Sequence, residues 1–284
     1  MPPTPSVSDS SGSARVLSPR DDLEAAPLSP REAAWLAALM ARHTASLRFA
    51  EVRRGLTALS TVYVQSRARL AAGAALDGAG KRHAFALYYG SLHFLAVRGL
   101  LRQLPELLAP PAPRQIWDLG CGTGVAGAAW SQAAGSVPLR GLDLQAWALA
   151  EARWNWQQLG LRGRAQRGQV LAATPAAQDA VVLAYVVNEL LEDKRAALLA
   201  QLLAAGCRCL VLEPISRRVA PWWDTWVAAS RAAGGGAGEA RLDLPLPPPI
   251  LQLGRAAGLR PGLLKVRWLT LPAAPPAALR RTSR

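Results

Sequence analysis

Fourteen residues constrain the fold of this chain more than any others: Arg114-Gln-Ile-Trp-Asp-Leu-Gly-Cys-Gly-Thr-Gly-Val-Ala-Gly127. Ile116, Trp117 and Leu119 supply an apolar run suited to a short buried strand, and Asp118 places an acid at its end. Gly120, Gly122 and Gly124 follow. Glycines there let the backbone turn sharply and leave no Cβ in the way of a ligand. Ala126, Gly127, Ala128 and Ala129 then open a helix that can lie close to a sheet. A strand, a glycine turn and a small-residue helix start form the nucleoside-binding corner of an open α/β sheet.

The segments beyond this corner repeat the pattern. Pro138 to Asp143 reads as a second strand ending in an acid. Asp143 lies about twenty residues past the glycine turn, where a carboxylate accepts hydrogen bonds from ribose hydroxyls. A helix is expected over 146–159, with Trp147, Trp154 and Trp156 as packing residues. A weak third strand falls near 164–170 and includes Gln169 and Val170. Asp179 begins an apolar fourth strand that runs into Tyr185, Asn188 and Glu189. These three are the candidates for contact with a reacting partner; Asn188 and Glu189 also suit the cap and first turn of a following helix. A fifth strand, 207–214, ends at Glu213. Gly234 to Gly238 reads as a flexible break, 250–257 as a short helix, and Leu263 to Leu271 as a terminal antiparallel strand.

Upstream of the corner the periodicity is helical. Residues 1–28 are rich in Ser, Pro and Asp and are expected as a disordered tail. Ser29-Pro30-Arg31-Glu32 reads as a helix start, with Ser29 as N-cap and Pro30 in the first turn. Residues 29–104 are expected as a helical lobe, ending in a strong helix from about His83. Residues 105–113 are a proline-rich connector, 105–272 the sheet domain and 273–284 a second disordered tail. The lobe is basic: residues 31–104 hold eleven Lys/Arg against three Asp/Glu. That suits an RNA-facing surface, and it equally suits a solvated helix face. His93, among apolar neighbours, reads as a core histidine.

The segment from Asp118 to Gly124 resembles motif I of the class I S-adenosylmethionine (SAM) dependent methyltransferases. The resemblance implies an α/β, Rossmann-like sheet with helices on both faces and SAM as cofactor. It implies that Gly120, Cys121, Gly122, Thr123 and Gly124 hold the methionine half, with Asp118 beneath its amino group. Asp143 and Leu144 would meet the ribose side, and Gln169 and Val170 the adenine side. Gly122-x-Gly124-x-x-Gly127 also fits the dinucleotide fingerprint, which keeps NAD or FAD as an alternative.

A narrower resemblance rests on His83 to His93, on Ala184-Tyr-Val-Val-Asn-Glu-Leu190 and on Val211-Leu-Glu-Pro214. These look like the small-ribosomal-subunit methyltransferase-like family of bacteria and mitochondria, which implies RNA or the small ribosomal subunit as partner. Members of that family carry a cysteine cluster after the fifth strand, and this chain has no cysteine after Cys209. Two rival readings stand beside it: a non-catalytic SAM-binding ribosome assembly factor, and a small-molecule methyltransferase lidded by the helical lobe.

Composition narrows the setting. The three cysteines, Cys121, Cys207 and Cys209, make neither a disulfide framework nor a four-ligand zinc site, and no metal is expected. The N-terminus lacks the pattern of a secretory signal, and no uncharged apolar run has the length of a bilayer span. A cytoplasmic protein with no membrane partner is the expectation. The net charge of +14 adds a general attraction for phosphate backbones.

Overall fold

The computed structural model describes residues 15–17, 27–45, 48–65, 76–216 and 220–273. Among these residues eight strands form one sheet: β1 (Arg15–Leu17), β2 (Ile116–Leu119), β3 (Leu139–Asp143), β4 (Gly163–Arg167), β5 (Ala180–Ala184), β6 (Arg208–Pro214), β7 (Ala237–Asp243) and β8 (Leu263–Leu271). Their spatial order is β4-β3-β2-β5-β6-β8-β7-β1. Every pairing is parallel except those of β8, which runs antiparallel to both β6 and β7. The direction of winding reverses between β2 and β5. In an open α/β sheet that reversal leaves a crevice at the carboxyl ends of the strands, where ligands bind.

Period-two alternation divides the strands between two cores. Ile116, Val182, Leu210, Leu212 and Trp268 face one side. The helices α1 (Pro30–Thr44), α2 (Phe49–Gln65), α3 (Ala79–Gln103), α4 (Val125–Ala133), α5 (Ala146–Gln158) and α8 (Pro248–Ala256) supply the residues that cover it. Trp117, Leu119, Val181, Val211 and Leu269 face the other side, beneath α6 (Glu192–Ala205) and α7 (Trp223–Ala232). Cys207 and Cys209 lie in this second core with their sulfurs 3.7 Å apart.

The start of α1 follows from its sequence. Ser29 Oγ accepts from Glu32 N (3.2 Å) and Glu32 Oε2 accepts from Ser29 N (2.7 Å), a reciprocal cap with Pro30 behind it. Trp35, Leu36, Leu39 and His43 then make the buried stripe. Gly55 of α2 meets Gly80 of α3 backbone to backbone, and a Cβ at Gly55 would collide with the Gly80 carbonyl. α3 is long and apolar enough to cross a membrane, yet 72% of its apolar window is buried inside the protein. It serves here as a core helix.

Three expectations change. Arg15–Leu17, placed in a disordered tail, form the edge strand β1 against β7. Residues 29–104 do not stand apart as a lobe: Trp35, Leu56 and Phe94 share one core with Ile116 and Trp156 of the sheet domain. The glycine break near 234–238 leads at once into β7, a strand the sequence did not announce. The C-terminal tail from 274 lies outside the described residues, as do residues 46–47 and 66–75 of the N-terminal helical region.

Candidate active site

β2 ends at Leu119, and the chain turns through Gly120 (φ +65), Gly122 (φ +49) and Gly124 (φ +72) before entering α4. Side-chain residues rarely adopt these angles. Space forbids a side chain at two of the three positions. A Cβ on Gly120 would stand 2.6 Å from Val186, and one on Gly124 would stand 2.7 Å from Ala152 and Trp156. On Gly122 it would only touch the Phe85 ring, at 3.6 Å.

The turn is held by three side chains. Asp143, at the end of β3, accepts from Gly122 N through Oδ2 and from Gln145 N through Oδ1, each at 2.8 Å. From α5, Asn155 Nδ2 donates to the Thr123 carbonyl (2.9 Å) and Trp156 Nε1 to the Gly124 carbonyl (2.7 Å). Asn155 is itself held by Trp35 Nε1, which donates to its Oδ1 at 2.7 Å. A relay of hydrogen bonds thus runs from α1 to the glycine turn. Asp118 points the other way: its Oδ2 accepts from Gly127 N at 2.8 Å, satisfying a free N–H in the first turn of α4.

The second group of residues stands across the switch point, after β5. Tyr185 has φ +64, an uncommon conformation for a bulky residue, and its N–H donates to Leu212 O at 2.8 Å. Asn188 and Glu189 fall in a single 3-10 turn, Val187–Glu189. α6 begins only at Glu192, so neither caps it nor lies in its first turn. Asn188 N donates to Glu213 Oε1 (3.2 Å) at the buried end of β6. Tyr185 Oη and the Asn188 side-chain oxygen are both buried without a hydrogen-bond partner. Burial, with Asp143 adding negative charge, pushes Glu189 up to about 7.

Residues 96–210 match the family model of the methyltransferase small domain. Over 85 residues the chain is 36% identical to the ribosomal RNA small subunit methyltransferase C of Chromohalobacter salexigens. That segment is 30% of this chain, and it spans a quarter of that relative's length (25%). Among solved structures, the mitomycin 7-O-methyltransferase MmcR overlays with a TM-score of 0.46 at 15% identity, covering 87% of this chain and 69% of that one. The Pyrococcus abyssi tRNA (uracil-54, C5)-methyltransferase, solved with S-adenosylhomocysteine, gives a TM-score of 0.40 at 14% identity, covering 62% and 38%.

Residues 96–210 thus carry the features of a SAM-dependent methyltransferase domain.

The residues fit that cofactor. The turn is a cradle without side chains, and Asp143 keeps lone pairs free on both oxygens, since a carboxylate accepts about four hydrogen bonds. Leu144, 55% exposed, offers an apolar surface next to it. Gln169 is exposed beyond β4, and Val170 is buried behind it. Cys121 and Thr123 are both buried, and the Cys121 thiol faces Gly141 beneath the turn. These two therefore offer a bound cofactor backbone more than side chain. Asp118 is buried beneath the turn, with Oδ2 accepting from Gly127 N of α4.

Asp118 supplies a pH test. Burial raises its carboxyl to about 7, against the lowering effect of the Gly127 N–H. A carboxyl raised in the folded state contributes stability that is complete below its unfolded value, near pH 4, and is lost as pH rises through 7. Asp118→Asn keeps an oxygen for Gly127 and cannot ionise. Its unfolding free energy relative to wild type should therefore rise between pH 4 and 7, by up to about 1.4 kcal/mol per pH unit. Parallel stability–pH curves from urea titrations would contradict the assignment.

Sequence reasoning missed the aromatic side of the site. Phe85, Tyr89 and His93 of α3 and Tyr185 stand together, with His93 stacked on Tyr185 at 4.4 Å and 21° between ring planes. His93, expected as a core histidine, lies only partly buried at the site. The four-residue spacing of Phe85, Tyr89 and His93 was the available signal.

Proposed function

We propose that this chain transfers the methyl group of SAM to RNA, with RNA of the small ribosomal subunit as the first choice. The match to a small-subunit RNA methyltransferase supports this reading. SAM, when bound, supplies a sulfonium methyl whose S–C bond breaks with its electron pair left on sulfur. The chain's own contribution is placement. Asp143 and the glycine turn fix one side of the crevice, and Tyr185, Asn188 and Glu213 line the adjacent strand ends. A reaction of this kind depends chiefly on orientation and on exclusion of water. An acceptor that carries hydrogen must also lose it. Glu189, raised to about 7, is matched to that proton near neutral pH.

The basic helices supply the contact with phosphates in this reading. Arg53 and Arg54 are exposed on α2. Other cations of the region are used within the fold: Arg42 pairs with Glu151 (2.9 Å), Arg98 with Glu32 (3.1 Å), and Arg82 donates to Leu76 O (2.9 Å). Arg67 and Arg69 lie outside the described residues.

The test is calorimetry with SAM, followed by labelled-methyl transfer to RNA, protein and metabolite fractions. Label is expected in small-subunit RNA, with RNA affinity that falls as salt rises and falls further when Arg53 and Arg54 are reversed to Glu. Asn188→Ala should lower methyl transfer at least tenfold and leave SAM affinity within about twofold, since Asn188 lies beyond the cofactor turn. SAM binding without transfer would favour a ribosome assembly factor. Label confined to the metabolite fraction would favour a small-molecule enzyme lidded by α3.

A further inference from the structure

We propose that α3 provides a stacking wall for a flat, unsaturated ring on the acceptor, and that His93 is its specificity-determining residue. The inference rests on the methyltransferase reading above and names what the acceptor side of that site receives. Phe85, Tyr89 and His93 fall four residues apart, which keeps them near one line on a helix. The helix is not regular there: Phe85–Gly90 form a π segment, a feature frequent at functional sites.

The rings meet at distances suited to aromatic contact. Phe85 and Tyr89 are 6.0 Å apart, Tyr89 and His93 5.9 Å, and Phe85 and His93 6.4 Å. His93 then stacks on Tyr185, so the wall crosses from α3 to the end of β5. All four rings are only partly buried, although Ala84, Ala86, Leu87, Leu92 and Phe94 around them on α3 are buried. The wall starts at the cofactor turn, where Phe85 faces Gly122. It ends at Tyr185 Oη and the Asn188 side-chain oxygen, two buried polar groups without a partner. Such groups are costly to leave unsatisfied, and they suit a ligand that brings hydrogen-bonding groups on its edge.

Charge selects further. The ionisable neighbours acting on Tyr185 and Glu189 include the carboxylates of Glu213 and Asp143. Burial also holds His93 down to about 4, so it is an uncharged ring at neutral pH. An anionic acceptor would meet repulsion and no countercharge from His93. An uncharged ring with polar edges meets a cluster of four aromatic rings and, at Tyr185 and Asn188, two unpaired hydrogen-bonding groups. Base–aromatic stacking of this kind is sequence-tolerant, because every nucleobase has a π face.

The test uses the full-length protein. SAM affinity is measured first, then labelled-methyl transfer to adenosine, guanosine, cytidine, uridine and short RNA, with ethanolamine and acetate as acceptors lacking a ring. Transfer should be confined to ring-bearing acceptors. His93→Ala should raise KM for them at least tenfold with SAM affinity within twofold of wild type, and His93→Phe should restore most of the loss. If His93→Ala does not fold by circular dichroism, the comparison of His93→Phe with His93→Leu takes its place, and only Phe should support low KM. Equal use of ethanolamine, no transfer to any ring, or a KM indifferent to residue 93 overturns the wall while leaving SAM binding intact. A wild type that does not bind SAM overturns the methyltransferase reading, and the wall with it.

Discussion

Gly122→Val should give a folded protein that no longer binds SAM. The three turn glycines differ in what a side chain would meet. At Gly120 and Gly124 a Cβ would stand 2.6–2.7 Å from Val186, Ala152 or Trp156, so substitution there disturbs packing before it disturbs binding. At Gly122 the nearest atoms are those of the Phe85 ring at 3.6 Å, an ordinary contact. The added strain is that of a left-handed residue, on the order of 1–3 kcal/mol. A folded domain with several times that margin survives it. The valine branches, however, would fill the space over the turn between Phe85 and Asp143. Calorimetry should show SAM affinity falling at least a hundredfold, with a far-ultraviolet spectrum like that of wild type. Retained affinity in a folded variant would remove Gly122 from the cofactor cradle. Gly124→Val serves as the contrast, and it should lose its cooperative unfolding transition.

Trp35→Ala should be the most damaging single change in the N-terminal helices. Trp35 is 1% exposed, lies 4.6 Å from Phe94 ring to ring, and donates to Asn155. Emptying such a site costs about 3–5 kcal/mol. A buried acceptor left unpaired on Asn155 belongs to the same loss, on the order of 1–3 kcal/mol. Because Asn155 also holds the Thr123 carbonyl, the variant should bind SAM more weakly as well as unfold earlier in denaturant. Trp35→Phe keeps the bulk and should isolate the hydrogen-bond part. An unchanged denaturation midpoint in Trp35→Ala would mean that α1 is not part of the domain's core. By the same reasoning, a chain begun at residue 105 should not fold, because it lacks the helices that cover one face of the sheet.

Sequence and tertiary structure divided the work along a physical line. Whatever depends on neighbours within a few residues was legible. The Ser29 cap, the α3 pattern, the acid-ended strands β2 and β3, the glycine turn and the limits of β8 all come from local periodicity and backbone freedom. Asp143 was legible too, because strand length and turn chemistry place it opposite the turn. β7 was not. Ala237-Gly-Glu-Ala-Arg-Leu-Asp243 holds residues of low strand propensity, and it becomes a strand only because β8 pairs with it along its whole length. The orientation of Asp118 was not legible either. Its position at the strand end was local, but the Gly127 N–H that captures it comes from the angle at which α4 docks. Nor could the sequence join Trp35 to Asn155, 120 residues away, or stack His93 on Tyr185. Those contacts depend on how α1 and α3 settle on the sheet, and burial of apolar area, which sets that packing, carries no record of which distant residues will meet.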